Sequence, residues 1–192
     1  MIKPYYEIKS KNIHILNFSG GADSTALLLM MIERKMPIDY IIYINTMIEF
    51  PQIYQHINKI TELIKPLFIN ILPIDLNLRH LDKDILTNIE RDNFKAWCTK
   101  QKNIAIINFL SQFKKNIINY QGITFDERER INNGKRLFGT ELMIKRFPLI
   151  EWEITKKDTL QYCYKLGLNW GGLYDRFNSI ACMDCPLNIK GE

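Results

Sequence analysis

A short turn rich in glycine and hydroxyl side chains separates two apolar runs near the start of the chain. It reads Ser-Gly-Gly-Ala-Asp-Ser over residues 19–24, between a strand-like run at 12–18 and the helix-like run at 26–32. Backbone N–H groups of such a turn can converge on an anion, and the positive end of the helix dipole assists them. Glycine suits this role because a side-chain carbon would keep a phosphate away from the backbone. The pattern indicates a phosphate site, with an ordinary strand-to-helix turn as the alternative.

The spacing of the lysines excludes the other common phosphate loop. A Walker A loop needs a Gly-Lys-Ser or Gly-Lys-Thr ending, and no lysine occurs between Lys11 and Lys35. Asp23 is expected to orient the turn or to hold Mg²⁺ rather than to act as a base, because a bare carboxylate repels phosphate. Three hydroxyl side chains would add donors to the backbone amides: Ser19, Ser24 and Thr25.

Three of the four cysteines occur where they could hold a metal. Cys182 and Cys185 form a CxxC pair followed by proline, a spacing that suits a tetrahedral metal or an iron–sulfur cluster, although a redox dithiol has the same spacing. Cys98 is the natural third ligand, because we expect it just before a helix whose dipole, with nearby lysines, would favour the thiolate. Cys163 lies at helical spacing from apolar neighbours and is interpreted as a small buried residue. The three histidines, His14, His56 and His80, offer little as ligands, and His14 in a strand and His56 in a helix are interpreted as packing or surface residues.

Strand-like and helix-like segments alternate along the chain and would position these residues. Strands are predicted at 12–18, 39–44, 68–74 and 116–121, and helices at 23–35, 51–65, 99–113 and 155–166. Between them we expect an irregular charged stretch at 75–95, a polar loop at 124–147 and a short apolar segment at 149–152. This order predicts an α/β fold with a mostly parallel sheet, helices on both faces and a cysteine-bearing C-terminal segment. The glycine turn would then lie at the carboxyl edge of the sheet, where open α/β sheets bind ligands.

The composition is that of a single globular domain over residues 1–192. Hydrophobic residues make up 46% and charged residues 24%, which suffices for one full core. The longest apolar run is too short to cross a bilayer, and the start lacks the apolar centre of a signal peptide, so we expect a cytoplasmic protein with no membrane partner. The net charge of +5 is mild and leaves a nucleic-acid partner open.

Several segments, taken in order, resemble the PP-loop ATP pyrophosphatases related to phosphoadenosine phosphosulfate (PAPS) reductase. Residues 19–24 match the SGGxDS signature of that family. Segments beginning at Asn45, Trp97, Gly122, Pro148 and Leu173 resemble, in turn, its DTGxxFPETY, cysteine-threonine-to-lysine, GIRxxES, PIxxWTxxDVWxY and LY…CxxCP segments. Together they span residues 17–186, and the resemblance implies an adenine nucleotide α-hydrolase-like fold.

The resemblance also implies ATP as the ligand, with Mg²⁺, and cleavage to AMP and pyrophosphate. The nucleotide-binding residues that it implies are Phe18, Ser19, Gly20, Gly21, Asp23, Ser24, Thr25, Thr46, Phe50, Gly122 and Glu127. Thr46 and Phe50 would lie where the adenosine packs. Asp23, Lys102 and Arg130 are the catalytic candidates, the two cations as remote contacts or, alternatively, as solvated surface charges. Cys98, Cys182 and Cys185 would hold an iron–sulfur cluster with one iron open for sulfide, and a zinc site is the alternative.

Departures from the family pattern argue against reduction of a sulfonucleotide. The ECGxH segment that bears the catalytic cysteine of the reductases is not found before Glu192, and Cys98 lacks the second cysteine of their paired segment. Thr124 and Ser179 stand where arginines are expected. We therefore expect another use of the adenylated intermediate.

The expected function is an ATP-dependent sulfurtransferase. Adenylation makes a carbonyl or hydroxyl oxygen a good leaving group as AMP, which a sulfide can displace. The acceptor would be a nucleic acid (tRNA or DNA) or a small metabolite, and a sulfur-donor protein and a second copy of the chain are further candidate partners. The alternative is a non-catalytic nucleotide-binding subunit of a defence or mobile-element system, with a structural zinc. Acceptor-dependent formation of AMP and pyrophosphate separates the two.

Overall fold

The computed structural model describes residues 11–76, 91–131, 136–138, 141–178 and 180. Their strands are β1 (Asn12–Phe18), β2 (Tyr40–Asn45), β3 (Ile71–Asp75), β4 (Asn116–Tyr120), β5 (Arg136–Phe138) and β6 (Glu141–Arg146). Their helices are α1 (Ala22–Glu33), α2 (Pro51–Ile64), α3 (Arg91–Leu110), α4 (Pro148–Glu151) and α5 (Lys156–Lys165). Short 3₁₀ segments cover Lys65–Leu67, Phe125–Arg130 and Trp170–Asp175.

The strands form a sheet in the order β3-β2-β1-β4-β6-β5. All neighbours pair in parallel except β5, which is antiparallel to β6 at the edge. The chain extends the sheet from β1 through β2 to β3 on one side and crosses to β4 on the other. In such sheets the ligand crevice lies beyond the carboxyl ends of the strands where the order reverses, which here are β1 and β4. The predicted α/β fold with a mostly parallel sheet is confirmed.

Helices cover both faces of the sheet because successive strand residues point to opposite sides. Leu16 joins a large apolar core with α1, α2 and α5. The adjacent Ile15 instead joins a smaller core with Leu110 of α3. Both strand residues are completely buried. Within the described part of the chain, no helix has the length and apolar character needed to cross a bilayer.

Two predictions of local structure are wrong. The polar loop expected at 124–147 contains β6, which pairs in parallel with β4. The charged residues in ELMIKR hide the alternation of polar and apolar side chains that is typical of a strand. Met143 is buried only because α3 packs over the sheet at this point, which the local sequence does not reveal. The charged stretch expected to reach residue 95 gives way to α3 at Arg91, so the following helix begins eight residues earlier than predicted.

Candidate functional site

The glycine turn joins β1 to α1 in a conformation that requires glycine at residue 20. Gly20 has a φ of +77°, and a Cβ there would lie 3.1 Å from side-chain carbons of Ile53 and Ile57. Gly21 is the N-cap of α1 and makes no side-chain capping bond. The first N–H groups of a helix have no intrahelical acceptor, so this end of α1 presents amide donors to the carboxyl edge of the sheet.

Hydroxyl groups of the turn serve mainly to hold the turn itself. The Ser19 N–H donates to Ser24 Oγ at 3.1 Å, and Ser24 Oγ donates to the Gly21 carbonyl at 3.1 Å. Thr25, predicted to contact the nucleotide, is completely buried, and its hydroxyl lies 2.9 Å from Nε2 of His56. The structure therefore directs Thr25 into the core, because α1 turns its side chain toward α2.

Asp23 lies in the first turn of α1 and faces α5. Its carboxylate accepts a hydrogen bond of 2.5 Å from the Thr159 hydroxyl. Burial raises the pKa of Asp23 above its ordinary value, against the opposing effects of the Thr159 bond and the Lys156 charge, and Glu127 and Asp126 add to the rise. A desolvated carboxylate of this kind gains from a cation, so its chemistry suits a metal ion that accompanies a polyphosphate.

A cleft with two lobes opens at the ends of β1 and β4. The polar lobe, about 450 Å³, is lined by Asn17, Ser19, Gly21, Ala22, Asp23, Ser24, Thr99, Lys102, Asn103, Gln121, Gly122, Lys156, Tyr174 and Ile180. The apolar lobe, about 270 Å³, is lined by Asn17, Phe18, Ser19, Ile42, Ile44, Glu49, Ile53, Lys102, Ile106 and Ile180. Asn17, Ser19, Lys102 and Ile180 line both lobes, so the two lobes adjoin.

Two residues predicted to contact the adenosine do not lie among the described residues that line this cleft. Thr46 is completely buried, and its N–H and hydroxyl donate to Glu49 Oε1 at 3.1 and 2.5 Å. Phe50 packs against Phe177, with ring centroids 5.5 Å apart. Glu49 itself lines the apolar lobe, where half of the lining residues are isoleucines.

Gly122 lines the polar lobe directly beside the first turn of α1. A Cβ on Gly122 would lie 3.1 Å from Cα and N of Ser24 and 3.2 Å from the carbonyl carbon of Asp23. Its lack of a side chain thus lets the segment after β4 approach the first turn of α1. Glu127 lies in the following 3₁₀ segment, outside the set of described lining residues, and the side chain of Arg130 is outside the described part of the chain.

The three cysteines of the predicted metal site are only partly described. Cys98 is half-buried within α3, four residues before Lys102 and hence on the same helical face. The expectation that Cys98 precedes a helix is wrong, so the dipole of that helix cannot favour its thiolate. Cys182 and Cys185 lie outside the described residues, and the described ones contain no cluster of three His, Cys, Asp or Glu side chains suited to a metal.

Cys163 and two histidines have the packing roles predicted for them. Cys163 is completely buried with Sγ 3.6 Å from the Ala22 carbonyl, and burial raises its thiol pKa to about 12, helped by the charge of Asp23. His14 and His56 are both buried. His80 lies outside the described residues.

Sequence reasoning missed an amide network at the ends of β1 and β4. Asn119 is buried, donates to Asn17 Oδ1 at 2.8 Å, and accepts from Gln121 Nε2 at 2.9 Å. Asn17 and Gln121 line the cleft. The signal was available: amide side chains inside two otherwise apolar strands need polar partners, and parallel neighbours can supply them.

Two aromatic residues of the last described 3₁₀ segment also escaped prediction as site residues. Trp170 Nε1 donates to the Gly20 carbonyl at 2.7 Å. The Ala22 N–H donates to the Tyr174 hydroxyl at 2.7 Å. These contacts join segments about 150 residues apart, so no local pattern could reveal them.

Comparisons with known proteins identify similar sequences and folds. The family model "Phosphoadenosine phosphosulfate reductase domain" matches residues 13–188. An adenosine 5′-phosphosulfate reductase of Bacillus anthracis is 27% identical over 189 residues, which cover 96% of this chain and 80% of that protein.

Solved structures with the same fold include two with low sequence identity. The PAPS reductase of Candida auris, in a phosphate complex, has a TM-score of 0.58 at 16% identity, over 88% of this chain and 81% of that one. The U34-tRNA thiolase NcsA from Methanococcus maripaludis, with its 4Fe-4S cluster, has a TM-score of 0.57 at 17% identity. That match covers 84% of this chain but only 59% of the thiolase.

Proposed function

This chain belongs to the phosphoadenosine phosphosulfate reductase domain family, and we propose that it cleaves ATP between the α- and β-phosphates to adenylate an acceptor. The observation that carries the proposal is the pair of adjoining lobes, an apolar one and a polar one at the amino end of α1, which share four lining residues. Such a pairing of environments suits a ligand with an aromatic base at one end and a polyphosphate at the other.

The apolar lobe would take the adenine base. Ile42 and Ile44 from β2 and Ile53 from α2 give it an aliphatic wall. Burying a flat aromatic ring against aliphatic side chains removes apolar surface from water, which favours binding by about 25 cal/mol per Å². Lys102 and Asn17 line both lobes, so they would lie beside the sugar and the first phosphate.

The polar lobe would take the polyphosphate and stabilise pyrophosphate as it leaves. The oxygen of the acceptor forms a bond to the α-phosphorus, the bond from that phosphorus to the bridging oxygen breaks, and pyrophosphate departs with the electron pair. Negative charge therefore grows on the leaving group, where amide donors of α1 and the ammonium groups of Lys102 and Lys156 would lie. Asp23 would contribute an oxygen ligand to a Mg²⁺ ion bound with the nucleotide.

We further propose that the adenylated acceptor receives sulfur at the cysteine-bearing side of the cleft. Cys98 lies on α3 one helical turn from Lys102, and Ile180, which lines both lobes, precedes Cys182 by two residues. Thiolates are the ligands that zinc and iron–sulfur clusters prefer, so Cys98, Cys182 and Cys185 would hold such a centre. A bound cluster with an open iron would supply sulfide as the nucleophile that displaces AMP.

Reduction of a sulfonucleotide is a second candidate, because the Bacillus anthracis relative carries that name. One residue of this chain weighs against it. Thr124 is completely buried at the position where the family pattern has an arginine expected to meet a sulfate or phosphate. A short buried hydroxyl side chain cannot make the bidentate, charged contact that an arginine offers an oxyanion.

The products of ATP cleavage test the proposal. ATP labelled at the α- or the γ-phosphate is incubated with the protein and tRNA, DNA or a metabolite pool, and the products are separated on thin-layer plates. We expect AMP and pyrophosphate, formed only with the correct acceptor. Asp23→Asn should abolish the reaction, whereas Lys100→Ala, on an exposed part of α3, should leave it unchanged.

Three other outcomes would redirect the assignment. ADP as the main product would contradict cleavage at the α-phosphorus. Tight ATP binding without turnover on any acceptor would favour a non-catalytic nucleotide-binding subunit. Sulfite release from adenosine 5′-phosphosulfate in the presence of a thiol reductant would establish the reductase instead.

A further inference from the structure

The first backbone N–H of α1, that of Ala22, already has a hydrogen-bond acceptor. The Ala22 N–H donates to the phenol oxygen of Tyr174 at 2.7 Å, and Tyr174 itself lines the polar lobe. A Cβ at Gly21 would come within 3.3 Å of the same oxygen. The phenol hydroxyl thus lies between the amino end of α1 and the space assigned to the phosphates.

The backbone around Tyr174 is fixed by contacts on several sides. Its ring meets the Trp170 ring edge to face, with centroids 5.1 Å apart and an interplanar angle of 83°. Trp170, Gly171 and Gly172 all have positive φ angles, a run that holds this segment in a tight, unusual path. Trp170 Nε1 also donates to the Gly20 carbonyl, so the segment that contains Trp170 and Tyr174 makes two hydrogen bonds to the glycine turn and the start of α1.

A phenol that accepts one hydrogen bond still has a proton to donate. Burial, with a contribution from the charge of Asp23, raises the pKa of Tyr174 above its ordinary value, against the effect of the Ala22 bond. The hydroxyl therefore keeps its proton at neutral pH. An N–H that donates to the oxygen also polarises the O–H bond, so hydrogen bonds in such a chain strengthen one another.

We propose that Tyr174 is a phosphate-binding residue, which accepts the Ala22 amide proton and donates its own proton to the pyrophosphate portion of the nucleotide. In this way the phenol extends the donor character of the α1 terminus into the cleft and gives the leaving group a neutral, directional donor. This role rests on the proposed function, since it requires a polyphosphate in the polar lobe.

Calorimetric titrations with pyrophosphate, ATP and adenosine, in the presence of Mg²⁺, test the role. Tyr174→Phe keeps the ring and removes only the oxygen. We expect about tenfold to hundredfold weaker binding of pyrophosphate and ATP, the range for a hydrogen bond to a charged group, and less than a twofold change for adenosine. Equal losses for adenosine and pyrophosphate would instead indicate a purely structural contact.

Tyr162→Phe is the matched control. The Tyr162 hydroxyl bonds Glu33 at the far end of α1, outside the cleft lining, so its removal should leave all three affinities unchanged. Trp170→Phe removes the bond to Gly20 but keeps the phenol, and should weaken pyrophosphate binding far less than Tyr174→Phe does. Comparable losses in both variants would show that holding the turn is what matters and would overturn the proposal.

Nucleotide binding by the cleft and the contact from Tyr174 can be tested separately. If the wild-type protein binds neither ATP nor pyrophosphate, the proposed function falls and the role of Tyr174 falls with it. If the wild-type protein binds both and Tyr174→Phe binds them equally well, the role of Tyr174 is wrong while the proposed function stands. Thermal unfolding of each variant, with and without pyrophosphate, checks that lost binding does not reflect an unfolded protein.

Discussion

Replacing Gly122 by alanine should disturb the phosphate turn by a purely steric effect. The added Cβ would lie 3.1 Å from the Cα and N of Ser24 and 3.2 Å from the Asp23 carbonyl carbon, closer than the ordinary contact of 3.4–4 Å. All three atoms are backbone in the first turn of α1, so relief requires the helix terminus or the β4 loop to shift by a few tenths of an ångström. Overpacking of this kind costs about 1–3 kcal/mol of folding free energy.

The same shift should weaken nucleotide binding, because the displaced atoms belong to the turn that we propose holds the phosphates. We expect at least about a tenfold loss of ATP affinity by calorimetry, since small misplacements of a binding group carry large penalties. In thermal unfolding, each kcal/mol should lower the midpoint by about 2–4 °C for a chain of this size.

Gly167→Ala is the control for this experiment. Gly167 has a φ of +72°, and a Cβ added there would meet nothing within 4 Å, so alanine introduces backbone strain without a collision. It should lower stability by about 1–2 kcal/mol and leave ATP affinity unchanged. A Gly122→Ala protein with wild-type stability and wild-type ATP affinity would refute the close approach of the β4 loop to α1 and its part in the site.

Three further predictions concern the cleft, the cysteines and the core. Lys102→Ala should weaken ATP binding by about tenfold to hundredfold in calorimetry, and Lys100→Ala by less than twofold, because only Lys102 of the pair lines the cleft. Cys163→Ala should cost about 1 kcal/mol of packing and leave the metal content of anaerobically purified protein unchanged. Alanine at any one of the three predicted ligands, Cys98, Cys182 or Cys185, should release most of the metal. Full metal content in any of those three variants would contradict a site that the three cysteines form together. Burial lowers the pKa of His56 to about 4, whereas in the unfolded chain the same imidazole has a pKa of about 6.5. As the pH falls from about 6.5 to about 4, the imidazole is therefore protonated in the unfolded chain but not in the folded one. The folded protein should lose up to about 3 kcal/mol of stability over this range. His56→Gln should reduce this dependence in denaturant titrations, leaving the contribution of His14, whose pKa burial also lowers. An unchanged dependence would contradict a buried, neutral His56.

Local sequence patterns predicted the strands, helices and glycine turn well where the structure of a segment depends mainly on its own residues. The apolar run before the glycine turn gave β1 with its observed bounds, and the first glycine of the pair, Gly20, has a backbone conformation that other residues adopt only with strain. Strands alternating with helices gave the parallel sheet, because crossover connections permit little else. The pattern failed at β6, where three apolar residues among charged ones identify a strand only once β4 and α3 lie beside it.

The sequence by itself determined the glycine turn at the end of a buried strand and the parallel α/β architecture that exposes this turn at the sheet edge. Both can be predicted from patterns of residues that lie close together in the chain. Only the tertiary structure decided which side chains complete the site: Tyr174 reaches Ala22 across 152 residues, and Thr25 is drawn away from the cleft by His56. Long-range packing chooses these partners, because the direction of a side chain depends on which element covers it, and no spacing along the chain encodes that.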